Sequence, residues 1–215
     1  MVRIFNEVDF DYPVHYHPEE YEITYTEGCR GTLIAGNQLT SFRDPDLVMT
    51  GPGLPHAWYE TTENQKKDKR RVTVIHFTSD LFPENWLSSR QFKKVKKLLS
   101  QSAKGIQFPT QAAEKLRSQF RMLNQGQNFS NLAGIFSIIE KLSSQEKYDL
   151  LSDTILKIHD AEEEEERFRN VHSYIIANYR KKIDISEVAE IANLSESAFS
   201  HYFKKHRMKN FTDFV

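Results

Sequence analysis

Residues 183–205 read Ile183-Asp-Ile-Ser-Glu-Val-Ala-Glu-Ile-Ala-Asn-Leu-Ser-Glu-Ser-Ala-Phe-Ser-His-Tyr-Phe-Lys-Lys205, and this stretch decides the fold of the carboxy-terminal part. Asp184 followed three residues later by Glu187 has the spacing of a capping box, which opens a helix. Asn193 then indicates a tight turn, and Ser195 is a favourable N-cap for the next helix. The stretch therefore predicts two short helices joined by a turn.

Apolar side chains are expected to hold these two helices together: Val188, Ala189, Ile191, Phe199, Tyr202 and Phe203. Polar side chains at the start of the second helix would then face outwards. A helix-turn-helix DNA reader has this plan, because its second helix enters the major groove and its first residues meet base edges. The residues predicted to bind DNA are Glu196, Ser197, Ser200, His201, Lys204 and Lys205. The pattern alone leaves a plain helical hairpin with solvated side chains as an alternative.

Residues 167–215 resemble the DNA-binding part of the AraC family of transcription regulators. The resemblance is carried by the helix end Tyr174-Ile-Ile-Ala-Asn-Tyr, the entry Asp184-Ile-Ser-Glu-Val-Ala, the turn Leu194-Ser, the run Phe199-Ser-His-Tyr-Phe-Lys-Lys and the connection Lys209-Asn-Phe-Thr-Asp-Phe. The family commonly has Arg where this chain has His201, and Gly near Met208-Lys209-Asn210.

The resemblance implies a DNA-binding unit of two helix-turn-helix motifs joined by one helix. Val215 falls where that helix is expected to begin. We therefore expect residues 167–215 to be the first motif alone, with the second missing from this sequence. Such a chain should bind DNA weakly, because half of the expected groove contacts are absent.

Charge is unevenly distributed along the chain. Residues 167–215 contain nine Lys or Arg against five Asp or Glu, whereas residues 1–166 contain twenty against twenty-five. Segregation of this kind favours a polyanionic partner for the basic end. The five consecutive glutamates of residues 162–166 are typical of a solvated linker, so we place a domain boundary at residues 161–166.

Residues 1–82 have a sequence pattern typical of an antiparallel β structure. Short runs rich in β-branched and aromatic residues are separated by Gly, Pro, Asn or Asp. The predicted strands include Tyr21–Tyr25, Gly31–Ala35, Asp46–Met49 and Val72–Phe77. Many short strands at close spacing indicate a barrel or sandwich. A resemblance to cupins, carried by His15, His17, Glu22 and His56, implies a cupin-like effector-sensing barrel in residues 1–82.

Residues 83–160 turn helical, which makes the predicted fold class α+β. Apolar residues recur at helical spacing in three segments: Phe92–Leu99, Ala113–Leu123 and Leu132–Leu142. The lysines at 93, 94, 96 and 97 are interpreted as a solvated face. The apolar stripes can pack on the barrel or on a second subunit, and the sequence does not separate these two arrangements.

A cluster of potential metal ligands lies in the strand-rich region. His15 and His17 are two residues apart, and residues with this spacing share one face of a strand. Glu22 follows, and His56 comes directly after Gly51-Pro-Gly-Leu-Pro. This set resembles the two cupin motifs, His-x-His-x4-Glu and Pro-x-x-x-His, which implies a divalent metal site for Zn, Ni, Fe or Mn.

The same residues are predicted to bind an effector without any required metal, because sensors of the regulator family often have a similar His-Pro-Glu-Tyr-Glu stretch. The predicted effector-binding residues are His15, His17, Glu22, Tyr25, His56, Trp58 and His76. An aromatic wall with a few polar groups suits a small polar molecule such as a sugar. Barrel core is the alternative interpretation for most of the aromatic residues.

Together these features predict a ligand-responsive transcription regulator and not an enzyme. A cupin metalloenzyme, such as a dioxygenase or sugar isomerase, is the main alternative, and a protein–protein adaptor is a third. The predicted partners are an operator in double-stranded DNA and a small-molecule effector. The resemblance to the regulator family also implies a second copy of the chain, bound through residues 83–160, and contact with RNA polymerase.

The remaining features point to the cytoplasm. Cys29 is the single cysteine, which excludes an intramolecular disulfide and fits a reducing compartment. The first residues lack the apolar segment of a signal peptide, and no apolar stretch approaches the length of a membrane span. We therefore expect no membrane partner and a cytoplasmic location.

Overall fold

The computed structural model describes residues 2–6, 14–60, 70–126, 128–153 and 183–207, together with Arg167, Asn170, Val171 and Tyr174. The predicted linker at residues 161–166 and the segment Lys209–Phe214 lie outside these residues. So do the side chains of Lys204 and Lys205, whose backbone belongs to the last helix.

The strands of the described residues form two antiparallel sheets. They are β1 (Val2–Asn6), β2 (Glu20–Glu27), β3 (Gly31–Ala35), β4 (Gln38–Phe42), β5 (Asp46–Thr50), β6 (His56–Glu60), β7 (Arg71–Thr78), β8 (Ile106–Gln107) and β9 (Asp149–Leu150). The larger sheet has the order β1-β7-β2-β5-β8-β9, and the smaller has the order β4-β3-β6. All strand runs predicted from the sequence are confirmed.

The helices of the described residues fall into two groups. The first is α1 (Glu84–Leu87), α2 (Lys93–Ser102), α3 (Thr110–Met122) and α4 (Phe129–Ser143); the second is α5 (Ile185–Ile191) and α6 (Glu196–Arg207). The predicted α+β class is therefore confirmed. None of the helices in the described part of the chain is long and apolar enough to cross a bilayer.

Strand alternation gives the larger sheet two different faces. In β2, Ile23 and Tyr25 are fully buried in a core that the sheet shares with α2, α3 and α4. The Tyr25 ring stacks on Phe120 of α3 with a centroid separation of 4.5 Å. The apolar stripes of the helices therefore pack on the sheet. Dimerisation through residues 83–160 stays a prediction.

The other face of the larger sheet packs against the smaller sheet. The cluster between them includes Leu33, Val48, Leu54, Trp58, Val72 and Leu151. Two facing antiparallel sheets around an interior core match the antiparallel barrel or sandwich architecture that the sequence predicts.

Two short strands connect the helical segment to this sheet, and the sequence did not predict them. Met49 of β5 lies opposite Ile106 of β8, and Ile106 lies opposite Leu150 of β9. Since β8 precedes α3 and β9 follows α4, both ends of this helix pair are anchored to the sheet.

The carboxy-terminal helices have a separate apolar cluster. Val188 and Ala189 of α5 pack there with Phe199 and Phe203 of α6. Between the helices, Asn193 has a φ of 53°, a left-handed conformation that Asn tolerates better than most residues. The predicted pair of short helices with a tight turn is confirmed.

The start of α6 agrees with the prediction, whereas the start of α5 differs from it in detail. Ser195 accepts a hydrogen bond from the Ala198 backbone N–H at 3.2 Å, as an N-cap should. Asp184 caps α5 by accepting from the Ser186 backbone N–H at 3.1 Å. The Glu187 carboxylate accepts from the Tyr174 hydroxyl at 2.7 Å, so it is occupied by a contact to the preceding segment.

Candidate metal centre and nucleic-acid interface

Backbone hydrogen bonds hold the histidine-bearing segments together. His15 and His56 pair as a β-bridge, with N···O distances of 3.1 and 2.8 Å. The Gly53 N–H donates to the His17 carbonyl at 2.9 Å. Gly53 has a φ of 76°, which glycine adopts without strain. This turn therefore places the His56 ring beside those of His15 and His17, at centroid distances of 4.7 and 5.5 Å.

Glu22 is the centre of the cluster. Its side chain is 4% exposed, and three imidazole nitrogens converge on its Oε2 atom. The Nε2 atoms of His17 and His56 each lie 3.2 Å from it, and Nε2 of His76 lies 3.0 Å from it. The Thr24 hydroxyl donates to the other carboxylate oxygen at 2.5 Å.

The tautomer of His56 determines whether its Nε2 atom attracts or repels the Glu22 carboxylate. Its Nδ1 lies 2.8 Å from the Leu54 carbonyl oxygen, so Nδ1 carries a proton and donates it. In a neutral ring Nε2 is then a lone-pair acceptor. This lone pair and the Glu22 oxygen at 3.2 Å would repel each other. A second proton on the ring or a cation between the two groups removes this repulsion.

The electrostatics of the site keep Glu22 ionised. Burial alone would raise the pKa of Glu22, but the charge of His56 and hydrogen bonds from His17, His56 and His76 hold it well below its ordinary value. A buried carboxylate facing several imidazoles is also a good ligand set for a divalent cation.

The donor atoms are close enough to share one ion. One donor atom from each of His15, His17, Glu22 and His56 lies within 4.8 Å of all the others. Three imidazoles and one carboxylate fit the preferences of Zn, Ni, Fe or Mn. The sequence-predicted metal ligands are thus brought together. A second group, His17, Glu20 and His76, satisfies the same distance limit.

The two aromatic residues predicted to bind an effector, Trp58 and Tyr25, lie in different cores of the structure. Trp58 lies in the interior core, with its ring 5.4 Å from that of His56, and its buried Nε1 has no partner among the described residues. Tyr25 is not brought to the histidines, since it packs on the helix side of the sheet. The sequence indicates this placement, because Tyr25 and Glu22 are three residues apart and residues at an odd spacing in a strand point to opposite faces of the sheet.

Three contacting residues were missed in the sequence. Glu20 contacts His76 Nδ1 at 3.4 Å and pairs with Arg3 of β1 at 2.5 Å, and Thr24 bonds to Glu22. Glu20, Glu22 and Thr24 alternate along β2, so strand parity was the signal that could have found two of them.

A cavity and the single cysteine are two further features that we considered as sites of chemistry. A cavity of about 820 Å³ is lined by residues of β1 and the start of α4, including Phe5 and Phe129, and contains no histidine of the cluster. Cys29 is buried, and this burial raises the pKa of its thiol to about 12. It is therefore a poor nucleophile at neutral pH.

Helix α6 has two sharply different faces. Phe199 and Phe203 are 0% and 3% exposed, and they attach the helix to α5. The side chains predicted to contact DNA at the start and outer face of α6 are exposed: Glu196, Ser197, Ser200 and His201. A helix that is packed along one side and exposes polar side chains in its first turns on the other side has the geometry that a major-groove reader requires.

Comparisons with known proteins give only distant similarities. No family model matches the chain, and no curated protein sequence matches it. The crystal structure of ToxT from Vibrio cholerae O395 is 11% identical with a TM-score of 0.38, covering 100% of this chain and 96% of that one.

Two other solved structures give comparable values. ToxT from V. cholerae strain SCE256 with a bound unsaturated fatty acid is 11% identical with a TM-score of 0.37, covering 100% of this chain and 94% of that one. The AraC-like transcriptional activator CuxR is 9% identical with a TM-score of 0.43, covering 94% and 67%. These similarities are too distant to assign a function.

Proposed function

We propose that this protein is a ligand-responsive transcription regulator that reads double-stranded operator DNA with α6. The observation that carries the proposal is the division of α6 into a buried aromatic face and an exposed polar face. The basic balance of residues 167–215 supports it, because phosphate neutralisation supplies much of the affinity of DNA-binding proteins.

The test is selection of preferred sites from a pool of random duplexes, followed by binding measurements on two matched variants. Ser200→Glu places a carboxylate on the exposed face of α6, and Ser118→Glu makes the same change on the exposed surface of α3. We expect Ser200→Glu to weaken binding at least about tenfold, because like charge repels the phosphates. Ser118→Glu should bind as the parent chain does. Equal effects, or no enrichment of any sequence, would contradict the proposal.

The sensor function is proposed to reside in the His15, His17, Glu22 and His56 cluster. Its close contacts suit an ion, and the lone-pair conflict between His56 and Glu22 is relieved by a cation. When bound, a divalent metal would supply a charge that fixes the segment at residues 15–17 against β2 and β6. A regulatory response requires that the ion bind the two DNA-binding arrangements with different affinity.

Metal titration of the purified chain tests this second part. We expect one Zn²⁺ or Ni²⁺ per chain, and an affinity reduced at least about tenfold in Glu22→Gln, since the central carboxylate is lost. Glu19→Gln, an exposed neighbour, is the matched control and should bind normally. If neither ion binds at micromolar concentration, the metal proposal fails, and binding of a polar organic effector such as a sugar is the remaining form of the sensor hypothesis.

The same cluster favours one other candidate function, a cupin-type metalloenzyme. Such an enzyme needs a coordination position open to substrate as well as a bound ion. Substrate turnover by the metal-loaded protein, with no metal effect on DNA binding, would support the enzyme. A metal-dependent change in DNA affinity without turnover would support the regulator.

A further inference from the structure

The first half of α2 carries an unusual concentration of positive charge. Four of its first five residues are Lys93, Lys94, Lys96 and Lys97, and all four are exposed. We call this group the α2 lysine surface. Val95, Leu98 and Leu99 anchor the opposite side of the helix in the core. The lysines are therefore presented to solvent on a helix whose position is fixed by packing.

These lysines are poorly explained as a stabilising solvated face. The first turn of α2 contains no acidic residue, and its N-cap Phe92 makes no side-chain capping bond. Cations at a helix N-terminus oppose the helix dipole, and like charges spaced three or four residues apart repel. The ammonium groups form no ion pair with another residue in the described part of the chain. The surface thus costs stability in the free protein.

The α2 lysine surface is basic, whereas the part of the chain to which it belongs is acidic on balance. Residues 1–166 have an excess of acidic residues, with twenty-five Asp or Glu against twenty Lys or Arg. Arg90, in the turn that precedes α2, is exposed and adds a fifth cation. Glu146 borders the surface, in a groove that Lys94 and Lys97 also line. The cations outnumber this carboxylate, so the surface is complementary to a polyanion.

We infer that the α2 lysine surface binds the phosphate backbone of duplex DNA, as a contact separate from that of α6. This inference rests on the proposed DNA-binding function. Lys93 and Lys97 are spaced by about 6 Å along the helix axis. Phosphates of one strand recur every ~3.4 Å along the axis of B-DNA, so two flexible ammonium groups at this spacing can each reach a different phosphate of the same strand. Lysine provides a mobile point charge without base specificity, so the contact adds affinity and orientation but no sequence preference.

The test compares two double variants that remove the same charge. Lys93→Gln with Lys97→Gln alters the α2 lysine surface, and Lys115→Gln with Lys141→Gln alters exposed lysines of α3 and α4. Binding of the 215-residue chain to a random-sequence 30-base-pair duplex is measured by fluorescence anisotropy from low to moderate salt. We expect the α2 variant to lose about tenfold in affinity, with the slope of log K against log salt reduced by about 2. The control should retain the parental slope.

Each outcome decides between the inference and the proposed function. If the two double variants behave alike while Ser200→Glu still weakens binding, the inference is overturned and the DNA-binding function stands. If the parent chain shows no salt-dependent binding to any duplex, both fail. Anionic phospholipid vesicles are the last probe: loss of vesicle binding in the α2 variant, with unchanged DNA binding, would assign the surface to a membrane and overturn the inference.

Discussion

Individual buried carboxyl groups have opposite electrostatic roles in this protein. Glu22 has several imidazole partners, which keep it ionised although it is buried. Asp46, at the start of β5, has no such cationic cluster. Burial raises the pKa of Asp46 to about 6, although Gln107 donates hydrogen bonds to both of its oxygens at 3.1 Å. Ionised Asp46 is therefore a cost to the folded state near neutral pH.

Asp46→Asn should change how stability depends on pH. The folded pKa lies above the ordinary value of 3.8, so the proton binds the folded chain more tightly. The protonated carboxyl group of Asp46 therefore stabilises the folded chain. This stabilisation, about 2–3 kcal/mol, is fully present below about pH 4 and is lost as pH rises through about 6. Urea unfolding of the parent between pH 4 and 7 should show this loss, whereas the asparagine variant should lack it. Parallel pH profiles would refute the assignment.

The cluster around Glu22 shows how much of a site can be predicted from residue types and their spacing. His15, His17, Glu22 and His56 were found from the sequence because alternation and a glycine-proline turn are local signals. Their meeting point depends on pairing between segments that are far apart in the chain, which spacing cannot supply. The placement of Tyr25 on the helix side was readable from strand parity, but its aromatic character suggested a pocket wall.

Among the structural elements, the turn between α5 and α6 depends on one backbone conformation. Asn193 has a φ of 53°, and an alanine there would experience strain from its Cβ. We expect Asn193→Ala to lower the free energy of unfolding by about 1 kcal/mol, while Asn193→Gly stays within about 0.5 kcal/mol of the parent. Equilibrium urea unfolding followed by helical circular dichroism measures both. An equally large loss in the glycine variant would show that the Asn side chain, not the conformation, matters.

Helix α2 should become more stable when its charge pattern is reversed. Lys93 is exposed in its first turn, where a carboxylate interacts favourably with the helix dipole. Lys93→Glu should raise the free energy of unfolding by about 1 kcal/mol, because it also relieves repulsion from Lys96 and Lys97. Lys115→Glu, within α3, is the control and should have a smaller effect. A lower free energy of unfolding in Lys93→Glu would mean that Lys93 stabilises the free protein.

The elements that the sequence failed to predict have a common physical reason. Strands β8 and β9 are each two residues long, and a dipeptide is too short to show hydrophobic alternation. They are defined by hydrogen bonds to β5 and to each other, so only the assembled sheet makes them strands. Helices α2, α3 and α4 and strands β2, β3, β5 and β7 were predicted because their apolar and β-branched residues recur with the period of the element.

Among the described residues, the apolar clusters of the β-sheets and of the carboxy-terminal helices have different members. Phe199 is fully buried in the carboxy-terminal cluster, and the cores beside the sheets contain other residues. Phe199→Ala should therefore destabilise α5 and α6 by about 3–5 kcal/mol. Hydrogen exchange should accelerate in residues 183–207, while residues 20–27 keep their protection. Accelerated exchange in both regions would show that they unfold as one cooperative unit.

The residues at the end of the described β-sheet unit offer a way to detect occupancy of the histidine site. Leu151 belongs to the interior core beside Trp58, and Ser152 donates to Asn37 at 3.1 Å. The ring of Trp58 lies 5.4 Å from that of His56. A ligand at the histidine site that changes the packing of Trp58 should therefore change the rate of proteolysis after Leu151, which makes limited proteolysis a reporter of occupancy.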